Sequence, residues 1–123
     1  MPILQIDTNV QPSKIPSDFG IKTAELMADM FSTPKNFSVV HVNANQNIYW
    51  HGVDGCCVLG TLKIVGGSGK ITPEQNVKHA QVLVKHIVDY FKIPDKNISI
   101  SFVEQEASNV TVFSTTVLAF LQN

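Results

Sequence analysis

Residues 93–103, IPDKNISISFV, and residues 33–42, TPKNFSVVHV, decide the fold that the sequence predicts. Each stretch has a proline at the end of a predicted helix and an asparagine two or three residues later. An aromatic or aliphatic residue, a serine and an aliphatic residue follow, which is typical of a strand. This agreement predicts two copies of a strand–helix–strand unit, offset by about 60 residues along the chain.

The first unit is predicted from the apolar periodicity of residues 1–50. A strand is expected over residues 2–8, and a helix follows with Ser17 or Asp18 as its N-cap. The second strand covers residues 36–43, and Ile48 to Trp50 either continue it or form a short strand of their own. Apolar or small residues expected on the buried face of the helix are Phe19, Thr23, Leu26, Met27 and Met30.

The second unit has the better-marked helix. A strand over residues 56–65 precedes it, and Thr72, Pro73 and Gln75 form a capping box with proline at the first helical position. An apolar stripe should cover Val77, Ala80, Val84, Ile87 and Phe91. A strand over residues 97–104 follows. Residues 109–121, NVTVFSTTVLAFL, are expected to form a last strand.

These elements predict an α+β fold with two βαβ pseudo-repeats in one domain over residues 1–123. Each helix is long enough to connect parallel strands. Two units side by side give a four-stranded sheet with both helices on one face. The other face would be bare, and oligomerisation is the natural way to bury it.

Composition excludes several classes of function. Apolar residues make up 44% of the chain and charged residues 15%, which is typical of a globular protein. The net charge is −1 and the 9 basic residues are scattered, so nucleic acid is not an expected partner. No apolar run approaches the roughly 20 residues that span a membrane, and the N-terminus lacks the pattern of a signal peptide.

No metal or other cofactor is expected. Cys56 and Cys57 are adjacent and fit no metal-binding spacing, so two free, buried thiols are predicted, as suits the reducing cytosol. His79 and His86 are two helical turns apart, about 10 Å, which is too far to share a metal. Together with neighbouring lysines they are expected to form a solvated basic edge.

The loop GGSGK at residues 66–70 invites comparison with a phosphate-binding loop. The pattern fails because Ile64 stands where its first glycine is required. A flexible loop before a helix is the preferred interpretation. A nucleotide at the N-terminus of that helix stays open as an alternative.

The chain begins MPILQIDTN, with Pro2 directly before the strand formers Ile3, Leu4 and Ile6. Proline cannot donate a hydrogen bond to a sheet and is tolerated only at the first residue of a strand or on an edge. Met-Pro starts are common, and the simplest interpretation gives Pro2 no role. If the initiator methionine is removed, however, Pro2 carries a free secondary amine at the end of a rigid strand.

Taken together, seven stretches distributed over nearly the whole chain resemble the macrophage migration inhibitory factor family, which includes D-dopachrome tautomerase. The stretches are MPILQIDTNV at 1–10, IPSDF at 15–19, VVHVNANQ at 39–46, LKIVG at 62–66, TPEQNVKHAQVLVKHI at 72–87, IPDKNISISF at 93–102 and NVTVFSTTV at 109–117. Individually they are weak signals, but in this order they are specific.

The resemblance implies a homotrimer whose three sheets form a central barrel, which would bury the bare sheet face. It implies keto–enol tautomerase activity on small keto or enol carboxylates such as phenylpyruvate, or on dopachrome-like substrates. Many animal members are also cytokines that bind the invariant-chain receptor on immune cells. The expected location is therefore the cytoplasm and, by a route without a signal peptide, the outside of the cell.

The resemblance also implies roles for individual residues. The amine of Pro2 would be the catalytic base, and Val65 and Val110 would contribute to an apolar pocket around it. Phe37 matches an aromatic residue of the family. Ser99 and Ser101 stand where a tyrosine and an asparagine from the neighbouring subunit commonly line the pocket.

One departure from the family bears on function. The family lysine that binds the substrate carboxylate is replaced by Thr33, and the nearest lysine, Lys35, lies beyond the intervening proline. Three hypotheses follow. The first is a tautomerase in which Lys35 partly restores the contact, and the second is a cytokine-like binding trimer with weak or lost activity. The third is a structural trimer with neither role. Because Gly60 replaces the second cysteine of the mammalian Cys-x-x-Cys pair, thiol oxidoreductase activity is not expected.

Overall fold

A mixed four-stranded sheet forms the centre of the computed structural model, which describes residues 1–66 and 69–122. Its strands are β1 (Pro2–Thr8), β2 (Val39–Asn43), β3 (Val58–Val65) and β4 (Ile98–Gln105), in the order β2-β1-β3-β4. β1 is parallel to β2, β3 is parallel to β4, and the two pairs meet through antiparallel β1 and β3. The predicted fold of two βαβ units is confirmed.

Two long helices connect the parallel strands and cover one face of the sheet. These helices are α1 (Phe19–Phe31) and α2 (Pro73–Phe91). Side chains from both helices and from the two central strands form one buried cluster, which includes Leu4, Ile6, Phe19, Met27, Leu62, Ile64, Leu83 and Ile87. Each such side chain stabilises the fold by about 1.5–3 kcal/mol on burial. The opposite face is open: Val39, Leu59 and Val103 are 41%, 39% and 38% exposed.

The internal repeat extends to the helix ends. α1 is followed by Ser32 and α2 by Lys92, both in the left-handed conformation, with φ of 53° and 58°. In each unit a proline and a single 3-10 turn come next, at Lys35–Phe37 and at Asp95–Asn97, before the second strand begins. At the other end of α2 the predicted cap is present, because Thr72 Oγ1 accepts a hydrogen bond from the Gln75 amide at 3.2 Å.

The C-terminal segment differs from the prediction. Instead of one strand over residues 109–121, the chain forms β5 (Thr111–Val112), β6 (Thr115–Thr116) and a short helix, α3 (Val117–Leu121). The turn between the strands has two residues in the left-handed region, which ends the extended conformation. The helix then begins because the Thr116 hydroxyl caps it, accepting from the Ala119 amide at 3.1 Å. Residues 48–50 form no strand.

The predicted buried face of α2 is partly wrong. Its buried line runs through Leu83, Ile87 and Phe91, whereas Val77 is exposed. The apolar spacing alone did not distinguish these two sides of the helix, because valine and alanine also occur on its outer surface.

The solvated histidine edge and the two buried thiols are also partly wrong. His86 Nε2 lies 2.9 Å from Thr23 Oγ1, and its ring stacks on Phe19, because α2 packs against α1 there. Cys57 is buried and Cys56 is exposed, and both are free thiols.

Candidate functional site

A cavity of about 310 Å³ lies at the end of the sheet where β1 begins and β3 ends. These two strands are antiparallel, so Pro2 lies opposite Ile64 and the start of one strand adjoins the end of the other. The walls are mostly apolar and come from several elements. They include Phe31 of α1, Phe37, Ile64 and Val65 of β3, and Val117 and Phe120 of α3.

The N-terminus of the chain lines this cavity. The carbonyl oxygen of Met1 accepts a hydrogen bond from the Val65 amide at 3.2 Å, which extends the pairing of β1 with β3 by one residue. Burial lowers the pKa of the Met1 amino group below 8.0, and the nearby charge of Lys70 lowers it further. Pro2 is buried directly behind Met1. Removal of Met1 would therefore leave the Pro2 nitrogen at the edge of the cavity.

Lys70, which precedes α2, also lines the cavity. Its ammonium donates a hydrogen bond to the carbonyl oxygen of Phe31, the last residue of α1, where helix carbonyls carry partial negative charge. The backbone is held as well, because the carbonyl oxygen of Lys70 lies 2.9 Å from His79 Nε2. Sequence reasoning missed this residue. The signal in the sequence is the lysine that ends GGSGK, two residues before the Thr72 cap. Residues 67–68 of that predicted loop lie outside the described residues.

The threonine and the lysine expected near the substrate lie in different surroundings. Thr33 lines the cavity, and its hydroxyl oxygen is buried without a hydrogen-bond partner among the residues that the structure describes. The Lys35 ammonium lies 3.3 Å from Glu25 Oε2, on the exposed side of α1. That hydrogen bond is also the main cause of the lowered pKa of Glu25. Lys35 is not among the residues that line the cavity.

The remaining predicted site residues divide into two groups. Phe37 and Val65 line the cavity. Val110 lies just outside, and its carbonyl oxygen accepts a hydrogen bond from the Val117 amide at 2.8 Å, which fixes the start of α3. Ser99 and Ser101 are exposed on the open face of the sheet. Their predicted contact with a pocket depends on a second subunit and stays a prediction.

Three aromatic rings form one edge of the cavity region. The ring centroid of Phe37 lies 6.2 Å from that of Phe113 and 6.3 Å from that of Phe120, and the last two are 5.5 Å apart. Phe113 is 72% exposed, so part of this aromatic surface faces solvent. This cluster is not evident from the sequence, because it depends on the turn and the short helix that replace the strand predicted over residues 109–121.

Position 60, where mammalian members have the second cysteine of the Cys-x-x-Cys pair, is tightly packed. A Cβ atom on Gly60 would lie 2.8 Å from Ile100 Cδ1 and 3.0 Å from the carbonyl oxygen of Gln5. Within residues 1–66 and 69–122, no group of three His, Cys, Asp or Glu side chains could hold a metal ion. None of the described helices is long and apolar enough to cross a membrane.

The arrangement has the parts needed for proton transfer next to a carbonyl group. Burial lowers the pKa of the N-terminal amine, which favours the free base that can accept a proton. Apolar walls can hold a small organic molecule, and two polar groups, the Lys70 ammonium and the Thr33 hydroxyl, can orient it.

Comparison with known proteins gives one consistent result. The family model for "Macrophage migration inhibitory factor (MIF)" matches residues 1–119. A macrophage migration inhibitory factor homolog of Trichuris trichiura is 36% identical over 110 residues, which is 89% of this chain and 94% of that protein. A D-dopachrome decarboxylase of Xenopus tropicalis is 28% identical over 98% of this chain and 100% of its own length. The solved structure of the factor from Trichinella spiralis superposes with a TM-score of 0.86 at 31% identity, covering 93% of this chain and 98% of that one.

Proposed function

The chain belongs to the macrophage migration inhibitory factor family, and on this premise we propose that it is a keto–enol tautomerase whose base is the amine of Pro2. The observation that carries the proposal is the position of the N-terminus, which lines an apolar cavity with Phe37 and Val65. The substrate class is a small keto or enol carboxylate of the phenylpyruvate type, or a dopachrome-like molecule.

The proposed reaction is a proton transfer without oxidation or reduction. The nitrogen lone pair of Pro2 takes a proton from the carbon next to the substrate carbonyl. The electrons of that C–H bond form the carbon–carbon double bond, and the electrons of the C=O π bond move to the oxygen. The protonated Pro2 amine then gives its proton to that oxygen, which yields the enol and restores the free amine. Burial at this end of the sheet disfavours the charged form of an amine, and the rigid first strand fixes its direction. The same groups perform the reverse reaction.

We propose that the active form is a homotrimer in which the open sheet face is buried. Half-exposed Val39, Leu59 and Val103 on that face support this assembly, because such apolar surface is costly in water. In the trimer, Ser99 and Ser101 would reach the pocket of a neighbouring subunit. If light scattering gave the molar mass of a single chain in solution, this part of the proposal would be contradicted.

A second candidate function is binding rather than catalysis. The replacement of the family lysine by Thr33 favours a cytokine-like trimer that binds the invariant-chain receptor and has weak or no tautomerase activity. That function requires release from the cytoplasm by a non-classical route. Absence of binding to the receptor ectodomain, measured by surface plasmon resonance with the intact trimer, would count against it.

The enzyme proposal is tested by tautomerisation of phenylpyruvate and of dopachrome methyl ester. Mass spectrometry first confirms that Met1 is absent. We expect Pro2→Gly to lower kcat by about 10²-fold or more, because general base catalysis contributes about 10²–10⁴-fold and the flexible glycine amine is poorly oriented. Pro12→Gly, in an exposed turn away from the cavity, is the control and should retain activity. No activity above background in the unmodified protein would refute the proposal.

A further inference from the structure

We propose that Lys70 binds the carboxylate of the substrate, in place of the lysine that position 33 lacks. This inference rests on the proposed tautomerase function and specifies how the same cavity selects its substrate. It also assigns a role to the last residue of the GGSGK sequence.

The position of Lys70 carries the inference. Lys70, Met1 and Thr33 line the same cavity, so a positive charge lies in the space that adjoins the proposed base. The apolar walls weaken dielectric screening, which strengthens the attraction between an ammonium and a bound anion. A carboxylate held there would place its neighbouring carbon atoms within a cavity of about 310 Å³ that also contains the N-terminus.

The Lys70 ammonium has donors left for a ligand. It donates one hydrogen bond to the Phe31 carbonyl oxygen, and a lysine ammonium has three donors. The ion pairs of the described residues involve Lys22, Lys35 and Lys85, and none joins Lys70 to a side-chain carboxylate. Lys70 is therefore oriented by the end of α1, and its charge is not matched by an acidic side chain of the described part of the chain.

Thr33 provides a second donor for the same anion. Its hydroxyl is buried and has no hydrogen-bond partner within the described residues. Such a group is unfavourable unless a ligand or water binds to it. A carboxylate has two oxygen atoms, so one can accept from Lys70 and the other from Thr33. Position 33, where the family has a lysine, thus still provides a hydrogen-bond donor to the substrate.

Lys35 is the competing candidate, and its contacts argue against it. The Lys35 ammonium pairs with Glu25 on the exposed side of α1, 3.3 Å from Oε2, and its side chain is 68% exposed. Reaching the cavity would require breaking that pair. Lys70 lines the cavity without any rearrangement.

A purely structural role for Lys70 makes a different prediction. A lysine that only caps α1 would stabilise the helix, and its loss would affect every substrate equally. A lysine that binds a carboxylate distinguishes an acid from its neutral ester. The experiment therefore compares phenylpyruvate with methyl phenylpyruvate, at a pH above the acid limb of both pH profiles, so that effects on the amine pKa do not contribute.

We expect Lys70→Met to raise KM for phenylpyruvate about ten- to a hundredfold, which corresponds to the loss of one charge-assisted hydrogen bond. KM for the methyl ester should change less than about twofold. Lys70→Arg should recover most of the affinity for the acid, and Lys35→Met should leave both substrates unaffected. Equal changes for acid and ester in Lys70→Met, or a larger effect of Lys35→Met on the acid, would overturn the inference.

A binding measurement separates this inference from the proposed function. 3-Phenylpropionate has the carboxylate and the ring but no carbonyl group to enolise, and 3-phenylpropanamide is its neutral control. Calorimetric binding of the acid that is weakened by Lys70→Met, in a protein without turnover, would support the role of Lys70 and refute the tautomerase. Turnover of phenylpyruvate together with unaltered acid binding in Lys70→Met would support the tautomerase and refute the role of Lys70.

Discussion

The two ends of the central strand pair, β1 and β3, are related by the internal repeat but are built differently. We call the end where β1 begins the open end, which is distinct from the open face of the sheet. It has a cavity lined by Met1 and Lys70. At the closed end, where β1 finishes, polar side chains bind the neighbouring backbone. Thr8 Oγ1 donates to the carbonyl oxygen of Cys57 at 2.7 Å, and the Cys57 amide donates to Asn9 Oδ1 at 2.8 Å.

Equivalent positions of the two repeats account for the difference. Thr33 and Phe37 follow α1 and line the cavity at the open end. Their counterparts after α2, Ile93 and Asn97, are buried at the closed end, where Asn97 Nδ2 donates to the carbonyl oxygen of Cys56 at 2.9 Å. The backbone is the same in both repeats, but the side chains fill the closed end and leave a cavity at the open end. The end whose side chains lack internal partners is therefore the end that has room for a ligand.

The largest expected effect comes from blocking the amine at the open end. Insertion of one alanine between Met1 and Pro2 converts the Pro2 nitrogen into an amide, which is not a base. We expect kcat for phenylpyruvate to fall by about 10²–10⁴-fold, with an unchanged midpoint of thermal unfolding. Mass spectrometry must show the added residue on the purified protein. Retained activity in that protein would show that another group is the base.

The next prediction applies one substitution to both ends. Thr8→Val leaves the Cys57 carbonyl oxygen and the Val10 amide without their partner, and should lower the free energy of unfolding by about 1–3 kcal/mol. Thr33→Val removes a hydroxyl that has no partner among the described residues, so it should be neutral or stabilising by up to about 1 kcal/mol. Urea unfolding under identical conditions measures both. Equal decreases in the free energy of unfolding of the two variants would contradict this difference between the ends.

A third variant makes the open end resemble the closed one. Thr33→Ile introduces the residue found at the equivalent position, Ile93, and replaces the hydroxyl at the cavity wall by an ethyl group. We expect kcat/KM for phenylpyruvate to fall at least roughly tenfold, because the proposed donor is lost and the added carbon displaces the substrate. Ile93→Val is the control. It should lower stability by about 0.5–1.5 kcal/mol and leave kcat/KM unchanged; a fall in both variants would refute a local effect.

The smallest expected effect belongs to His86, which lies at neither end. Burial lowers its pKa below 6.5, so the folded state favours the neutral ring while the unfolded chain takes up a proton more readily. The resulting stability is complete above about pH 6.5 and decreases as the pH falls through the folded-state value. Between pH 7 and pH 5.5, His86→Gln should therefore lose less thermal stability than the unmodified protein. Identical pH profiles would contradict this assignment.

The elements of the repeat could be predicted because local chemistry specifies them. The Thr72 capping box, the prolines after each helix and the alternating strands indicate the boundaries within a few residues. The C-terminal segment was not predictable in this way, because Thr116 is suited both to a strand and to a helix cap. Its conformation depends on the turn at Phe113 and on packing against Phe37.

The sequence by itself determined the two βαβ units and the family, and it predicts that Pro2 is the base. These follow from periodicity, caps and motifs, which act between residues close together in the chain. Only the tertiary structure decided which lysine shares a cavity with the N-terminus. The sequence pointed to Lys35, but Lys35 pairs with Glu25, whereas Lys70 lines the cavity and reaches the end of α1. Antiparallel pairing of β1 and β3 brings distant segments to one edge, and side-chain direction there is set by packing.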